Sequence, residues 1–229
     1  MTHKKNFNEK HDLNVVAGLT VQKDTYSQLS AGATDFPTDY IHYLSAGTIN
    51  SGTHLKSEWS MVSLLARANY VYDNKYMLTA TVRRDGSSRF GANQKWGTFP
   101  SVSVGYRVSE EPFMQNFRAL SDLKIRASYG VAGNNSIGNY NQIALLGVSN
   151  YVDANKILPG LAPSTLANDE LTWEKSKQTD IGIDFGLFNN RVSVIADWYY
   201  NLKTDLLLSV NLPAASGFGS AMQNVGEIE

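Results

Sequence analysis

Hydrophobic and polar side chains alternate most regularly between residues 64 and 108. The pattern predicts two long strands joined by a three-residue turn at 73–75, because only that register keeps apolar and polar side chains on separate faces. The pairs on the apolar face are Tyr72 with Tyr76, Tyr70 with Leu78, Ala68 with Ala80, and Ala66 with Val82. Tyrosines at the turn end and aliphatic residues beyond them are typical of a strand pair that faces lipid.

A second hairpin is predicted over residues 173–202. Its turn is Asn189-Asn190, a pair that tolerates the positive φ angles of a type I′ turn. Its apolar pairs are Leu187 with Val192, Phe185 with Val194, Ile183 with Ala196, and Ile181 with Trp198. The reverse face carries Gln178, Asp180, Asp184 and Asp197. Both hairpins therefore separate one apolar face from one polar face.

The remaining chain reads as further strands separated by alternately long and short connections. Strands are predicted at 11–22, 96–108 and 123–131, with a long surface loop at 23–58, a loop at 85–95, and a connector with room for a turn of helix at 109–122. Pro100 predicts a bulge or a missing ladder hydrogen bond. Antiparallel strands that span a membrane require such alternation. It holds here if residues 140–148, which show only a weak strand pattern, belong to a loop or extend a strand beyond the membrane. No closing strand is predicted after residue 205.

Composition narrows the class of protein. The 229 residues contain no cysteine and carry a formal net charge of -1, which gives no global attraction to nucleic acid or anionic lipid. No run of about 18 apolar residues is present, so a membrane-spanning helix is excluded. Residues 1–8 are polar and contain no signal peptide, which an outer-membrane precursor would need.

Motifs for catalysis or metal binding are not found in the sequence. The four histidines lack ligand spacing, Glu110-Glu111 has no partner arrangement for acid–base chemistry, and no serine lies in a G-x-S-x-G setting. GNNSIGNY at 133–140 has neither a Walker lysine nor G-x-G-x-x-G. We therefore predict no catalytic residue, no metal, no cofactor and no enzymatic activity.

Several phrases resemble one protein family. TATVRRDGSSRFG, WGTFPSVSVGYRVSEEPF, LKIRASYGVAGNNSIGNY, LTWEKSKQTDIGIDFGLFNNRVSVIADWYYNLKTDLLL and LPAASG occur in this order. Together they are similar to the barrel of the SusC/RagA family of TonB-linked outer-membrane proteins. The resemblance covers roughly residues 59–229, and residues 7–58 resemble the family loosely, chiefly in HDLNVVAGLTVQ.

The resemblance implies an all-β fold, an antiparallel meander of long strands that forms part of a transmembrane β-barrel. Such transporters have about 22 strands of about 9 to 11 residues each. Because only about seven to nine strands are predicted, residues 1–229 are expected to be one part of a larger barrel, without plug domain or signal peptide.

The family's mechanism is also implied only by this resemblance. A plug blocks the barrel, a SusD-like surface lipoprotein delivers the ligand, and the TonB complex moves the plug through parts absent here. The expected function is uptake of oligosaccharides or peptides across the cell outer membrane, with the lipid bilayer as a further partner.

Candidate site residues are chosen by the face of the sheet on which each is predicted to lie, polar or apolar. Candidates for a ligand or plug contact inside the barrel are Arg67, Lys124, Arg126, Asp184 and Asp197; the alternative is that each only keeps a polar face solvated. The aromatic residues expected at the membrane interface are Tyr70, Tyr72, Tyr76, Trp198 and Tyr200. Trp59, Trp96 and Trp173 are also predicted to lie at this interface. The phrase RRDGSSRFG is expected to order a loop rather than to bind ligand.

Two other classes remain open from the residues alone. A soluble β-sandwich that binds glycans would also alternate apolar and polar positions, and a small complete barrel could be a structural outer-membrane protein. Strands of ten or more residues, aromatics at strand ends and loop parity favour a membrane-spanning barrel over the sandwich, and the family resemblance favours the transporter. The transported substrate is not specified by these residues.

Overall fold

The computed structural model describes residues 1–114, 117 and 119–229. Its strands are β1 Thr2–Phe7, β2 His11–Thr34, β3 Thr48–Tyr72, β4 Tyr76–Ser87, β5 Trp96–Arg107, β6 Leu120–Asn134, β7 Leu146–Val148, β8 Tyr151–Asp153, β9 Lys156–Leu158, β10 Leu161–Pro163, β11 Glu174–Leu187, β12 Val192–Thr204, β13 Leu207–Asn211, β14 Ser220–Asn224 and β15 Glu227–Ile228. Short 3-10 helices lie at Leu44–Ala46, Val108–Glu110, Pro112–Met114 and Ala214–Ser216. Within these ranges no helix has the length and apolar character needed to cross a bilayer.

Nine strands form one antiparallel sheet in the order β1-β2-β3-β4-β5-β6-β11-β12-β15. Neighbours in the sheet are neighbours along the chain, apart from small two-stranded ladders inserted in two loops. The sheet is open, with β1 and β15 at its edges in the described part of the chain. The all-β meander is confirmed, and nine strands fall within the predicted range.

Both predicted hairpin registers are confirmed. Tyr72 pairs with Tyr76 and Ala66 with Val82 across β3 and β4. Leu187 pairs with Val192 across β11 and β12. Asn189 and Asn190 have the predicted positive φ angles, 57° and 59°, and the turn of the first hairpin also contains two such residues, Asp73 (φ 50°) and Asn74 (φ 54°). Asn and Asp adopt this backbone region more readily than other side chains.

The predicted loop at 23–58 is wrong over most of its length. β2 and β3 continue as a two-stranded ribbon, and only residues 35–47 form the connection. Its side chains are mostly polar on both faces, and the few apolar ones, such as Leu29 and Leu55, lie on opposite faces. The ribbon therefore lacks the alternation by which strands are recognised. Backbone hydrogen bonds hold the ribbon together, because the N–H and C=O groups of each strand pair with those of the other. At 24 and 25 residues, these strands are more than twice the roughly 9–11 residues that a bilayer requires.

Four further local predictions, for Pro100, residues 140–148, the chain after residue 205 and the connector at 109–122, can be compared with the structure. Pro100 causes no bulge in the β4–β5 ladder, but the ladder of β5 with β6 begins only at Ser101. Of residues 140–148 only the last three form a strand, and it pairs with β10 inside the loop, so loop parity holds. After residue 205, β13 pairs with β14 and the two-residue β15 pairs with β12, but in the described part of the chain no strand closes the sheet, as predicted. The connector carries 3-10 turns; residues 115, 116 and 118 of it lie outside the described residues.

The connections divide the sheet into two ends. At the turn end lie the short links between β1 and β2, β3 and β4, β5 and β6, and β11 and β12; the longer links lie at the loop end. The face that carries the apolar pairs is called the apolar face, and the opposite one the polar face. On the apolar face Val104, Ile181 and Trp198 remain 50%, 50% and 59% exposed. A sandwich would bury these side chains under a second layer, whereas here they lie open on a single sheet.

The core of the molecule lies at the loop end. Five of the buried hydrophobic residues form one group, called the loop-end cluster: Phe90, Phe99, Ile137, Leu171 and Trp173. They come from four separate segments, so the long loops are packed together rather than spread over the surface. The structure thus offers two candidate regions, the polar face of the sheet and the packed loop end.

Candidate functional site

A charged cluster lies on the polar face at Arg126 of β6. Its Nε donates a hydrogen bond to Asp184 Oδ1 at 3.0 Å, and its Nη2 lies 2.6 Å from Asp197 Oδ1. A weaker ion pair joins its Nη1 to Asp180 Oδ1 at 3.7 Å. One guanidinium thus bridges carboxylates from β11 and β12.

Register and a glycine make this bridge possible. Gly182 of β11 lies directly between Arg126 and Asp197 in the ladder. A Cβ at Gly182 would lie 2.6 Å from Arg126 Cζ and 2.4 Å from Asp197 Oδ1. Because glycine has no side chain, the guanidinium crosses above β11 and reaches the strand beyond it.

The structure brings together some of the predicted residues and separates others. Arg126, Asp184 and Asp197 meet, whereas Arg67 lies apart and donates its Nε hydrogen bond to Thr81 Oγ1 at 3.2 Å. Lys124 pairs in register with Asp184 and lines a shallow cleft of about 340 Å³ that also includes Arg126. Asp180 was not among the candidates, although its parity with Asp184 places it on the same face. With three carboxylates around one guanidinium, the cluster leaves acceptor oxygens for positive or hydrogen-bond-donating groups of a solute.

RRDGSSRFG orders the loop end, as expected. Arg83 Nε donates to both carboxylate oxygens of Asp85 at 2.8 Å, and its Nη2 donates to Ser63 Oγ at 3.2 Å. Asp85 is 6% exposed and Ser63 is 5% exposed. Charge-assisted hydrogen bonds of this kind are stronger than neutral ones, so they fix the end of β4 against β3.

The same phrase is joined to GNNSIGNY by hydrogen bonds. Arg89 donates from Nε to Asn139 Oδ1 at 2.9 Å and from Nη1 to the Asn135 carbonyl at 3.0 Å. Asn135 Nδ2 in turn donates to Ser87 Oγ, which belongs to a residue only 1% exposed. The Arg89 guanidinium also lies 4.5 Å from the Trp59 ring centre. Two loops distant in sequence are thereby locked together.

Aromatic packing completes the loop end. Trp173 packs its ring 5.1 Å from Phe90 and 5.2 Å from Phe99, and donates from Nε1 to the Lys95 carbonyl at 3.0 Å. It is 3% exposed, so its assignment to a membrane interface is wrong. The sequence signal was ambiguous, because a tryptophan beside a strand suits both an interface and a buried loop contact.

Most of the other predicted interface aromatics lie on the apolar face, but Trp59 does not: it is in phase with Ser63 and Arg67 on the polar face of β3, where its ring contacts Arg89. Tyr72, Tyr76 and Tyr106 form a continuous stack across three strands at the turn end, with centroid distances of 6.1 and 4.9 Å. Tyr70 occupies the adjacent pair position on β3, and Trp198 and Tyr200 are 59% and 40% exposed on β12. This arrangement fits an aromatic belt, which stays a prediction.

The apolar face forms a diagonal band. On β3 its aliphatic residues continue toward the loop end as far as Val62, but on β11 they stop at Ile181 and are followed by Thr179 and Lys177. Register places Ile181 level with Tyr70 rather than with Val62. A hydrophobic band of even height would take this form if the strands were tilted, as they are in transmembrane barrels.

Tilted antiparallel strands with one exposed apolar face and one polar face define the wall of an outer-membrane type of β-barrel. The sequence matches the family described as TonB dependent receptor-like, beta-barrel, over residues 2–229. The chain belongs to this family.

Individual relatives agree with the family match. A TonB-dependent receptor of Formosa agariphila is 38% identical in an alignment 235 residues long that covers 99% of this chain and 22% of that receptor. TonB-dependent receptor SusC of Bacteroides thetaiotaomicron is 38% identical over 176 residues, 74% of this chain and 17% of SusC. The solved RagAB peptide transporter superimposes with a TM-score of 0.90 at 36% identity, covering 99% of this chain and 25% of that one. The chain therefore spans about a quarter or less of the length of these relatives.

Proposed function

We propose that this chain forms part of the wall of an outer-membrane transporter that takes up oligosaccharides or peptides in a TonB-dependent manner. The observation that supports this most strongly is the two-faced open sheet, whose apolar side chains are exposed and whose polar face carries the Arg126 cluster. Similarity to a peptide transporter over nearly the whole chain makes peptides the first substrates to test.

In this proposed transporter, the chain and the other segments of a longer protein have different roles. Residues 1–229 supply wall, inner surface and outer loops of the barrel, and other segments supply the plug and the contact with TonB. A SusD-like surface lipoprotein is the proposed partner at the loop end, where ligand would enter. We propose no catalytic activity for the chain, because the transport steps require binding and movement rather than bond cleavage.

The polar face is proposed to contact solute inside the barrel. Arg126, Asp180, Asp184 and Asp197 would hold amino or hydroxyl groups weakly, since the guanidinium occupies only part of the carboxylate capacity. Transport favours such weak sites, because a solute must leave them again. Lys124 and Arg67 supply positive charge on the same face of the sheet.

Uptake in cells that depend on the full-length receptor tests this function. We expect uptake of labelled peptides or oligosaccharides to require the receptor and to be lost when TonB is deleted. Arg126→Gln should reduce uptake at an unchanged amount of folded protein, whereas Arg67→Gln, the matched control outside the cluster, should reduce it less. Uptake that survives deletion of TonB would contradict the proposal, and a chain that is folded and monomeric in plain buffer would favour the soluble alternative.

A further inference from the structure

Two neighbouring arginines of β4 are used differently. Arg83 lies on the polar face and binds the buried Asp85. Arg84 lies on the apolar face, in register with Leu64 of β3 and Thr98 of β5. Arg84 is exposed, and among the described residues none of the ion pairs involves it. Its guanidinium carbon lies 5.3 Å from the Trp96 ring centre, so the side chain rests on an aromatic ring with its charge uncompensated.

Arg84 lies at the loop-end boundary of the apolar band on β4. The preceding residue on the same face of β4, Val82, is 44% exposed and belongs to the apolar band. Arg84 is therefore the first charged residue above the hydrocarbon level on this strand. Headgroups follow directly on the hydrocarbon core, and a long arginine side chain reaches them while its methylene groups stay on apolar surface. The adjoining Trp96, 48% exposed, is the type of residue that occupies this interface.

An apolar groove lies immediately below the guanidinium. Its volume is about 390 Å³, and its lining residues are Ala17, Gly18, Leu19, Leu64, Leu65, Ala66, Val82 and Arg84. The small side chains of Ala17 and Ala66 face each other across β2 and β3, which lowers the floor between the larger Leu19, Leu64 and Val82. Arg84 is the one charged residue in the lining. The groove thus has an apolar floor and a cation at its headgroup end.

We propose that this groove is a binding site for an anionic, phosphate-bearing lipid of the loop-side leaflet. One acyl chain lies along the floor between Leu19 and Val82, and the lipid phosphate accepts hydrogen bonds from the Arg84 guanidinium. Guanidinium matches phosphate well because its planar fork donates two parallel hydrogen bonds. Stacking on Trp96 orients that fork. This inference rests on the proposed location in the outer membrane, and it assigns Arg84 a role distinct from the loop-ordering role of Arg83.

A lipid is favoured over a protein partner by charge and by continuity. Lys23 and Lys56, the nearest cations above on the ribbon, already bind Glu58 at 3.3 and 3.1 Å, which leaves Arg84 as the unbalanced charge at this level. The groove continues directly into the exposed apolar band, so a single molecule with an acyl chain and a phosphate would cover both features.

The test uses the full-length receptor, extracted in mild detergent, stripped of lipid and studied by native mass spectrometry. The probes are bisphosphorylated lipid A and its dephosphorylated form. Unsubstituted protein should retain the phosphorylated lipid. Arg84→Gln should weaken its binding about tenfold or more, since a hydrogen bond to a charged group is lost, and Arg84→Lys should restore part of it. Ala66→Phe, which fills the groove, should also reduce binding although the charge remains.

The matched control is Arg107→Gln, at the turn end, where Nη1 donates to the Asn74 carbonyl at 3.4 Å. It should bind lipid as the unsubstituted protein does. Equal binding of both lipid forms, or undiminished binding by Arg84→Gln, would overturn the proposal. So would full displacement of the lipid by inorganic phosphate, because that result would indicate an ion site without an acyl component. Insertion into lipid vesicles is measured in parallel: failure of the unsubstituted receptor to insert contradicts the membrane location itself, whereas insertion with unselective lipid binding contradicts only the lipid site.

Discussion

Replacement of Phe90 by alanine tests whether the loop end is a packed unit. Phe90 is 0% exposed and contacts Trp173 within the loop-end cluster. Removing a buried phenylalanine side chain costs roughly 3–5 kcal/mol in well-packed cores. Each 1.4 kcal/mol changes an equilibrium constant about tenfold, so local opening of the loop end should become roughly 100- to 4,000-fold more frequent.

Hydrogen–deuterium exchange of the full-length receptor in detergent measures this opening. Backbone amides in residues 88–95, 135–140 and 171–173 should exchange faster in Phe90→Ala, because these segments pack against the same ring or one another. Amides of the membrane-spanning strands should stay protected, since both neighbours in the sheet continue to hold them. Val148→Ala, at a side chain 79% exposed, is the matched control and should change nothing. Exchange at 88–95 that rises less than threefold, or rises equally throughout the sheet, would refute the packed-unit interpretation.

Two further predictions concern the same end of the molecule. Gly91→Ala would place a Cβ 2.2 Å from the Asp169 carbonyl oxygen, so overpacking should destabilise the protein by about 1–3 kcal/mol; gel mobility after stepwise heating should show unfolding at lower temperature, and an unchanged profile would contradict the contact. The pKa of Glu58, on the ribbon above the membrane-spanning part, is lowered by hydrogen bonds and charge from Lys56 and Lys23. Its ion pairs should therefore contribute fully above pH 4.5, the ordinary value, and be lost as pH falls through the lowered pKa; ¹³C NMR of labelled glutamate checks this, and titration at or above 4.5 would contradict it.

Alternation was sufficient to predict the sheet where one face is apolar. The pairing of Tyr72 with Tyr76 and of Ile181 with Trp198 followed from keeping apolar side chains together, because a one-residue slip would mix the faces. The same principle failed for the ribbon of β2 and β3 beyond residue 22. Both of its faces meet water, so no period of two appears in its hydrophobicity although its backbone pairs fully.

The candidate sites were predicted less completely than the strands. Parity placed Arg126, Asp184 and Asp197 on one face, and Gly182 explains how the first and last of these meet. The loop-end cluster was missed, because its residues come from different loops and no local period links Phe90 to Trp173. Contacts between distant loops depend on how the strands position those loops in space. The sequence pattern alone does not specify this arrangement.

The apolar and polar faces of β5 provide the most direct test of the account. Val104 and Ser103 are adjacent in sequence but belong to opposite faces, and the absence of native cysteine from these residues simplifies labelling here. Spin labels at Val104→Cys and Ser103→Cys, in the receptor reconstituted into vesicles, report access to dissolved oxygen and to a water-soluble nickel complex. We predict that position 104 is relaxed mainly by oxygen and position 103 mainly by nickel. Equal access at both positions, or position 104 shielded from both reagents, would contradict a sheet whose apolar face meets lipid.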